Sequence, residues 1–326
     1  MDNEVELAII GGGPAGRRAA GYAGRSGAKV ALITESVAAR PQLDQTAITF
    51  LAVQAEHAHL TGREDATPAA LRESLAGAME IGRATRQSEF DELRDLGVEL
   101  VVGLACIAAP DHLSVNLPDA TTQWVGCQSI ILAPGVQELI PVDSDRVVTP
   151  RSIAALEKVP DAIAILGSDV AALEIARYFA AWEIDVSVVG GRRSVLDFLD
   201  ADLRDTVTSA AADNGIRVIH DATAVVGTVN GGVDVLLDNG THLDCEYAFV
   251  CGEGKYRTET LGLERCGVRT GVDGEILVDR NMRTNIPEIF AVGAVAGTRC
   301  SMNVVRRQAE VAAENALGGD AWINHD

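Results

Sequence analysis

The chain is poor in aromatic residues, poorer still in lysine, and contains no long apolar run. Aromatics make up 4% of its 326 residues, so its core has to be built from small and branched side chains, as in α/β proteins. Lys29, Lys158 and Lys255 are its only lysines, and arginine carries nearly all the positive charge. A spanning helix needs about 18 or more consecutive apolar residues, and no such stretch occurs. The opening MDNEVELAII is acidic and lacks the basic start of a secretory signal, so a cytoplasmic protein is expected. A net charge of −20 argues against nucleic acid or anionic membrane as partner, because both carry the same sign. Cysteine is missing from the first 105 positions, and the six that follow form no C-x-x-C pair. In a reducing compartment they read as small buried hydrophobes rather than disulfides or metal ligands. His57 and His59 form an HAH pair without a third clustered ligand, which fits a helix surface; no metal is expected.

What is present begins with VELAIIGGGPAGRRAAGYAGRSGAKVALITE. It reads as buried strand (Val5 to Ile10), glycine turn, alanine-faced helix (Arg17 to Arg25), second strand (Lys29 to Thr34) and terminal acid. Gly11, Gly13 and Gly16 have the G-x-G-x-x-G spacing, and Glu35 follows about 20 residues later. Gly11 permits the tight turn, Gly13 lets the backbone approach a pyrophosphate, and Gly16 lets helix and strand pack closely. The helix N-terminus offers free N–H groups and a positive dipole end to phosphate. Glu35, followed by Ser36, can accept hydrogen bonds from a ribose diol. This turn is expected to bind a dinucleotide.

A long helix is predicted from Thr67, where TPAAL supplies a cap and a first-turn proline. It ends at LGVELVVG, where a strand begins. HLSVNLPDATTQWVGCQSIILAPG reads as a hairpin leading into the buried strand Ser129 to Ala133, ended by Gly135. A second strand–turn–helix–strand unit then follows: Ala162 to Leu166, Val170 to Ala181, Asp185 to Val189. Its turn keeps Gly167, but Asp169 stands at the second glycine position and Ala172 at the third. Ala172 is small enough for packing. Asp169 puts a carboxylate where a pyrophosphate would approach; like charges about 4 Å apart repel by roughly 4 kcal/mol at an effective dielectric near 20. The same aspartate can cap the helix, and that role is favoured. The strand VSVVGGRR ends in Gly190 without an acid, followed by Arg192 and Arg193, which favours NADPH over NADH should a nicotinamide cofactor bind. A solvated arginine pair reads the sequence equally well.

The order of elements resembles the flavoprotein pyridine nucleotide–disulfide oxidoreductases, the family of dihydrolipoamide dehydrogenase and mercuric reductase. IIGGGPAG, with Pro14 and Ala15 inside the motif, is similar to that family's first FAD motif, IILAPG to its second and IFAVGAVAG to its third. The segment around GSDVAALE is similar to its nicotinamide-nucleotide motif, Glu174 included. The resemblance implies an α/β fold of two Rossmann-like domains, the second inserted in the first. The FAD-binding domain would comprise residues 1–147 and 264–326, and the NAD(P)-binding-like domain residues 148–263. It implies FAD contacts at Ala105, Gly135, Gly293 and Ala294 beside the first turn, and a place for Glu174 near the flavin.

The departures from the family are as specific. Its C-x-x-x-x-C pair aligns with Pro41 and Thr46, and its flavin-side lysine with Phe50, so dithiol chemistry is excluded. Its C-terminal dimerisation domain, with a His–Glu pair, would start where the chain stops. Ala294 replaces an aspartate that holds the FAD ribityl chain, a loss on the order of 1 kcal/mol, or about tenfold in affinity. Pro134 replaces a threonine. The reading is a FAD-dependent oxidoreductase passing electrons through the flavin itself, to a small molecule, a quinone, oxygen or a redox partner protein, with NADPH as one source. Glu174, left without its lysine partner, would have a raised pKa and could donate a proton. Two alternatives stay open: a catalytically degenerate subunit with a structural or regulatory role, in a homo- or hetero-oligomer, and a flavoenzyme reduced directly by its substrate.

Overall fold

The computed structural model describes residues 3–37, 45–61, 68–138, 144–150, 152–153, 156, 159–190, 195–197, 199–220, 222–229, 232–251, 254–297 and 302–323. In chain order the first part runs β1 (Asn3–Ile10), α1 (Pro14–Arg25), β2 (Val30–Thr34), α2 (Gln45–Thr61), α3 (Pro68–Asp95), β3 (Glu99–Val102), β4 (Leu104–Ala109), β5 (His112–Asn116) and β6 (Thr122–Leu132). Then come β7 (Val136–Glu138), β8 (Val147–Val148), β9 (Ala162–Leu166), α4 (Val170–Ala180), β10 (Asp185–Val189), α5 (Ala201–Asp213) and β11 (Ile216–Ile219). The rest is β12 (Ala224–Val229), β13 (Gly232–Leu237), β14 (His242–Cys245), β15 (Tyr247–Val250), β16 (Gly254–Tyr256), α6 (Leu263–Cys266), β17 (Ile289–Ala291) and α7 (Met302–Ala316). The chain forms two compact units: residues 1–39, 86–137 and 255–326, and residues 40–85 and 138–254.

The first unit is built on a sheet ordered β3-β2-β1-β6-β5-β4, with β17 also paired to β6. β1 lies parallel to β2 and β6, and β17 parallel to β6; β4, β5 and β6 are antiparallel. Alternation along β1 sends Leu7 and Ile9 into the core with α1 and α7, and Ala8 and Ile10 into the core on the other face. α1 buries Ala15, Gly16, Ala19, Ala20 and Ala23, residues small enough for its axis to lie close to the strands. Tyr22 donates to Glu314 at 2.9 Å, and Arg18 pairs with Glu310, tying α1 to α7.

The second unit has a parallel sheet ordered β11-β10-β9-β15-β8 and an antiparallel sheet ordered β12-β13-β14. Period-two alternation again divides the two faces. Ile163 and Ile165 of β9 face a core shared with Ile175, Ala176 and Phe179 of α4, while Ala164 faces the three-stranded sheet. α2 and α4 pack together, with an Arg177–Glu56 ion pair; Tyr178 donates to Ser74 of α3 at 2.9 Å. Among the described residues, no helix is long and apolar enough to cross a membrane. Cys127, Cys245 and Cys251 are buried, and Cys106 and Cys266 are half-buried; Cys300 lies outside the described residues.

Candidate functional site

At the first turn each glycine does a separate physical job. Gly11 has φ +116°, and its N–H donates to Ile33 O at 2.8 Å, turning the chain sharply off β1. A Cβ on Gly11 would lie 2.0 Å from Ala133 O, and one on Gly16 would lie 1.8 Å from Gly11 O. Both positions therefore exclude any side chain. Gly13 differs: a Cβ there would meet nothing within 4 Å among the described residues. Gly13 is the N-cap of α1, extended at φ −71° and ψ 178°, with no side-chain cap, and Pro14 follows at the start of the helix. The result is an uncapped helix N-terminus whose approach is clear on the glycine side, the geometry an anion needs.

The other motif residues arrive from far along the chain. Ala133 N–H donates to Ile10 O at 2.8 Å, placing Pro134 and Gly135 (φ +74°) at the same sheet end as the turn. Val292 N–H donates to Leu132 O at 3.0 Å, and Gly293 follows at φ +75°. A Cβ on Gly293 would come within 3.1 Å of the Ala15 Cβ. Gly293 N–H donates to the Oε1 of Gln308, which is 1% exposed, at 3.2 Å. Ala294 is exposed, and Ala105 is buried in the core between β4 and its neighbours. Residues from positions 11, 133 and 293 are thus gathered at one end of one sheet.

Two arginines that the motifs do not signal also lie here. Arg17 is 10% exposed; it donates to Gly12 O and pairs with Glu89, both at 2.6 Å, and its guanidinium sits 5.6 Å from the Phe90 ring centroid. It thereby fixes the middle of the glycine turn. Arg257 pairs through one nitrogen with Oε1 of Glu35 at 2.6 Å, and its backbone N–H donates to Gly135 O at 3.3 Å. Their acidic partners lie 72 and 222 residues away, so no local spacing could have revealed these pairs.

The second turn repeats the first with Asp169 in place of Gly13 and Ala172 in place of Gly16. Gly167 N–H donates to Val189 O at 2.9 Å, and a Cβ on Gly167 would lie 2.2 Å from Cys251 O. Ala172 is fully buried, its Cβ 3.1 Å from the same point. Asp169 is the N-cap of α4, extended at φ −105° and ψ 177°, and its carboxylate accepts from Ala172 N–H at 3.0 Å. The position that is bare at Gly13 is filled here, and one helix N–H is already satisfied. Gly190 is buried, and Arg192 and Arg193 lie outside the described residues.

Glu174 is half-buried on α4 and is engaged within the protein, so the unpartnered carboxyl assumed from the sequence is not what the structure holds. Of the three positions aligned with the redox segment, Thr46 is exposed, Phe50 packs against the core of the second unit, and Pro41 lies outside the described residues.

Fold and turn together define an FAD/NAD-type dinucleotide-binding protein of two compact units. The description "Pyridine nucleotide-disulphide oxidoreductase" matches residues 5–316, and the chain belongs to that family of FAD-dependent enzymes, whose members use NAD(P)H. It is 27% identical over 344 residues to the dihydrolipoyl dehydrogenase of Chlamydia muridarum, covering 100% of this chain and 73% of that protein. It is 26% identical over 339 residues to an NAD(P)H dehydrogenase (quinone) of Mycobacterium tuberculosis, covering 96% of this chain and 69% of the relative. Among solved structures, LpdA from Mycobacterium tuberculosis superposes with a TM-score of 0.82 at 24% identity, covering 98% of this chain and 74% of that one. The HOCl-induced flavoprotein disulfide reductase RclA from Escherichia coli superposes at 0.81 and 21% identity, covering 98% and 72%. These likenesses carry the fold.

Proposed function

We propose that the chain is a FAD-dependent oxidoreductase that works without an internal dithiol. The observation that carries this reading is the bare approach at Gly13 beside Gly11, Gly16, Gly135 and Gly293, together with the absence of cysteine from the first 105 positions of the sequence. Gly13, Ala15 and Gly16 would take the pyrophosphate, Glu35 and Ser36 the ribose, and Ala105, Gly135, Gly293 and Ala294 would line the rest of the flavin site. FAD, when bound, supplies the redox chemistry. The protein holds and orients it, and Glu174 is assigned a proton-holding role that Glu174→Gln tests. The electron acceptor or donor is a small molecule or a redox partner protein, in the cytoplasm.

NADPH is favoured over NADH as the reductant by Gly190 and the arginines that follow it. A second reading is favoured by a specific observation: the Asp169 carboxylate caps α4 where a nucleotide phosphate would approach. In that reading the flavin is reduced by substrate, or the second unit is a retained scaffold in a degenerate subunit. The deciding experiment is an absorbance spectrum of the purified protein, followed anaerobically on adding NADPH and then NADH. Flavin absorbance that bleaches with NADPH supports the first reading. Flavin that stays oxidised supports the second, and a protein that neither carries nor takes up FAD overturns both flavin readings.

A further inference from the structure

Glu35 directly follows β2, where a dinucleotide-binding turn places the acid that receives the ribose hydroxyls. In this chain the acid is paired with an arginine. Arg257, 222 residues later, grips its Oε1 at 2.6 Å while the arginine's own backbone N–H holds Gly135 O at 3.3 Å. One residue therefore connects the acid of the first motif to the glycine that ends the second. The Arg257 side chain is 26% exposed and its Nε is buried with no hydrogen-bond partner among the described residues, while the Glu35 side chain is 60% exposed. A pair this open to water adds little to stability, so its geometry is the more informative property. A carboxylate held by one oxygen presents the other in a fixed direction, and an arginine fork is rigid enough to set that direction. The guanidinium also offsets a negative charge close to where two phosphates would lie, in a chain of net charge −20.

We infer that Arg257 is a positioning residue for the adenosine end of the dinucleotide: it holds Glu35 by Oε1 so that Oε2 faces the ribose diol. The inference rests on the FAD reading above and adds that selectivity for FAD over FMN, which has no adenosine, passes through this arginine. The test is titration of the flavin-stripped protein with FAD and with FMN, followed by flavin fluorescence, for wild type, Arg257→Met, Arg257→Lys, Glu35→Gln and the double variant Arg257→Met/Glu35→Gln. The expected result is an about tenfold weaker FAD Kd for Arg257→Met, a smaller loss for Arg257→Lys, and unchanged FMN binding throughout. The double variant should bind FAD no more weakly than Glu35→Gln, because the arginine acts through the acid. Wild-type FAD affinity in both Arg257 variants, additive losses in the double variant, or equal losses for FAD and FMN overturns the inference while leaving the flavin reading intact. A wild-type protein that takes up no FAD overturns the flavin reading and this inference with it. If the methionine variant does not fold, Arg257→Lys and Glu35→Gln carry the same comparison.

Discussion

The Asp169 carboxylate lies 3.0 Å from the N–H of Ala172 and closes the N-terminus of α4, whereas α1 begins at Gly13 with no side-chain cap. The two turns share glycines that meet a backbone carbonyl from the neighbouring segment, Ala133 O in one and Cys251 O in the other. They differ at the residue that decides whether an anion can reach the helix.

Replacing Asp169 separates its two effects. Asp169→Gly should cost only a few tenths of a kcal/mol in stability, since glycine is a tolerable N-cap, and Asp169→Ala about 1 kcal/mol. Asp169→Gly should tighten NADPH binding at least tenfold by freeing the amide and removing the charge. Calorimetric titration with NADPH and a thermal melt measure both quantities. Unchanged NADPH affinity would show that the carboxylate swings aside at no cost.

Gly13 and Gly16 should respond oppositely to valine. A side chain at Gly13 enters open space, so Gly13→Val should melt within a few degrees of wild type yet lose FAD affinity by more than tenfold. At Gly16 it would strike Gly11 O, so Gly16→Val should fail to fold or lose most of its stability. Melting curves and flavin content of the two purified variants check this directly.

The buried thiols should be chemically silent. Burial, helped by the carboxylate of Asp111, pushes the Cys127 thiol up from 9.0 to about 12, and burial pushes Cys245 to about 11. At pH 8 the thiolate of Cys127 is roughly a thousandfold scarcer than at an ordinary site. A thiol pKa raised on folding contributes stability below its ordinary value, and that contribution is lost as pH climbs toward the folded value. Iodoacetamide at pH 8, read by mass spectrometry, should leave both cysteines unmodified in native protein and label them in denaturant. Rapid native labelling of Cys127 would contradict its burial.

Asn315 should matter to stability far from the glycine turn. Its side chain is 4% exposed, donates to Asn281 O at 2.9 Å and Ala321 O at 2.8 Å, and accepts from Ala321 N–H at 2.7 Å. Asn315→Ala removes the side-chain partner of Asn281 O and of the Ala321 N–H, while Ala321 O keeps the Asn281 side-chain amide at 2.7 Å; it should cost about 1–3 kcal/mol, measured by urea unfolding, with FAD content unchanged.

The sequence was most informative where one local rule decides the outcome. The strand–turn–helix of residues 3–34 and its repeat at 162–189 follow from apolar runs interrupted by glycine, and β9, α4 and β10 lie where those runs place them. The Asp169 cap was legible because capping is a contact over three residues. After β11 the chain forms a three-stranded antiparallel meander whose third strand is His242–Cys245. Arg17 with Glu89 and Arg257 with Glu35 escaped notice because their partners lie 72 and 222 residues away. The packing of Gln45–Thr61 beside α4 escaped it too, since the apolar residues of this helix mark no single face and so specify no partner.

The order in which the parts leave the ribosome is a further consequence of the chain's path. Residues 138–254 of the second unit emerge contiguously, after the helices of residues 45–85, and have all their sheet partners at once. The first unit, begun earlier, must wait for Ile289–Ala291 to pair beside β6 and for α7 to cover α1. The half synthesised first is therefore completed last, and until then the apolar face of α1 and the free edge of β6 stay open to chaperones.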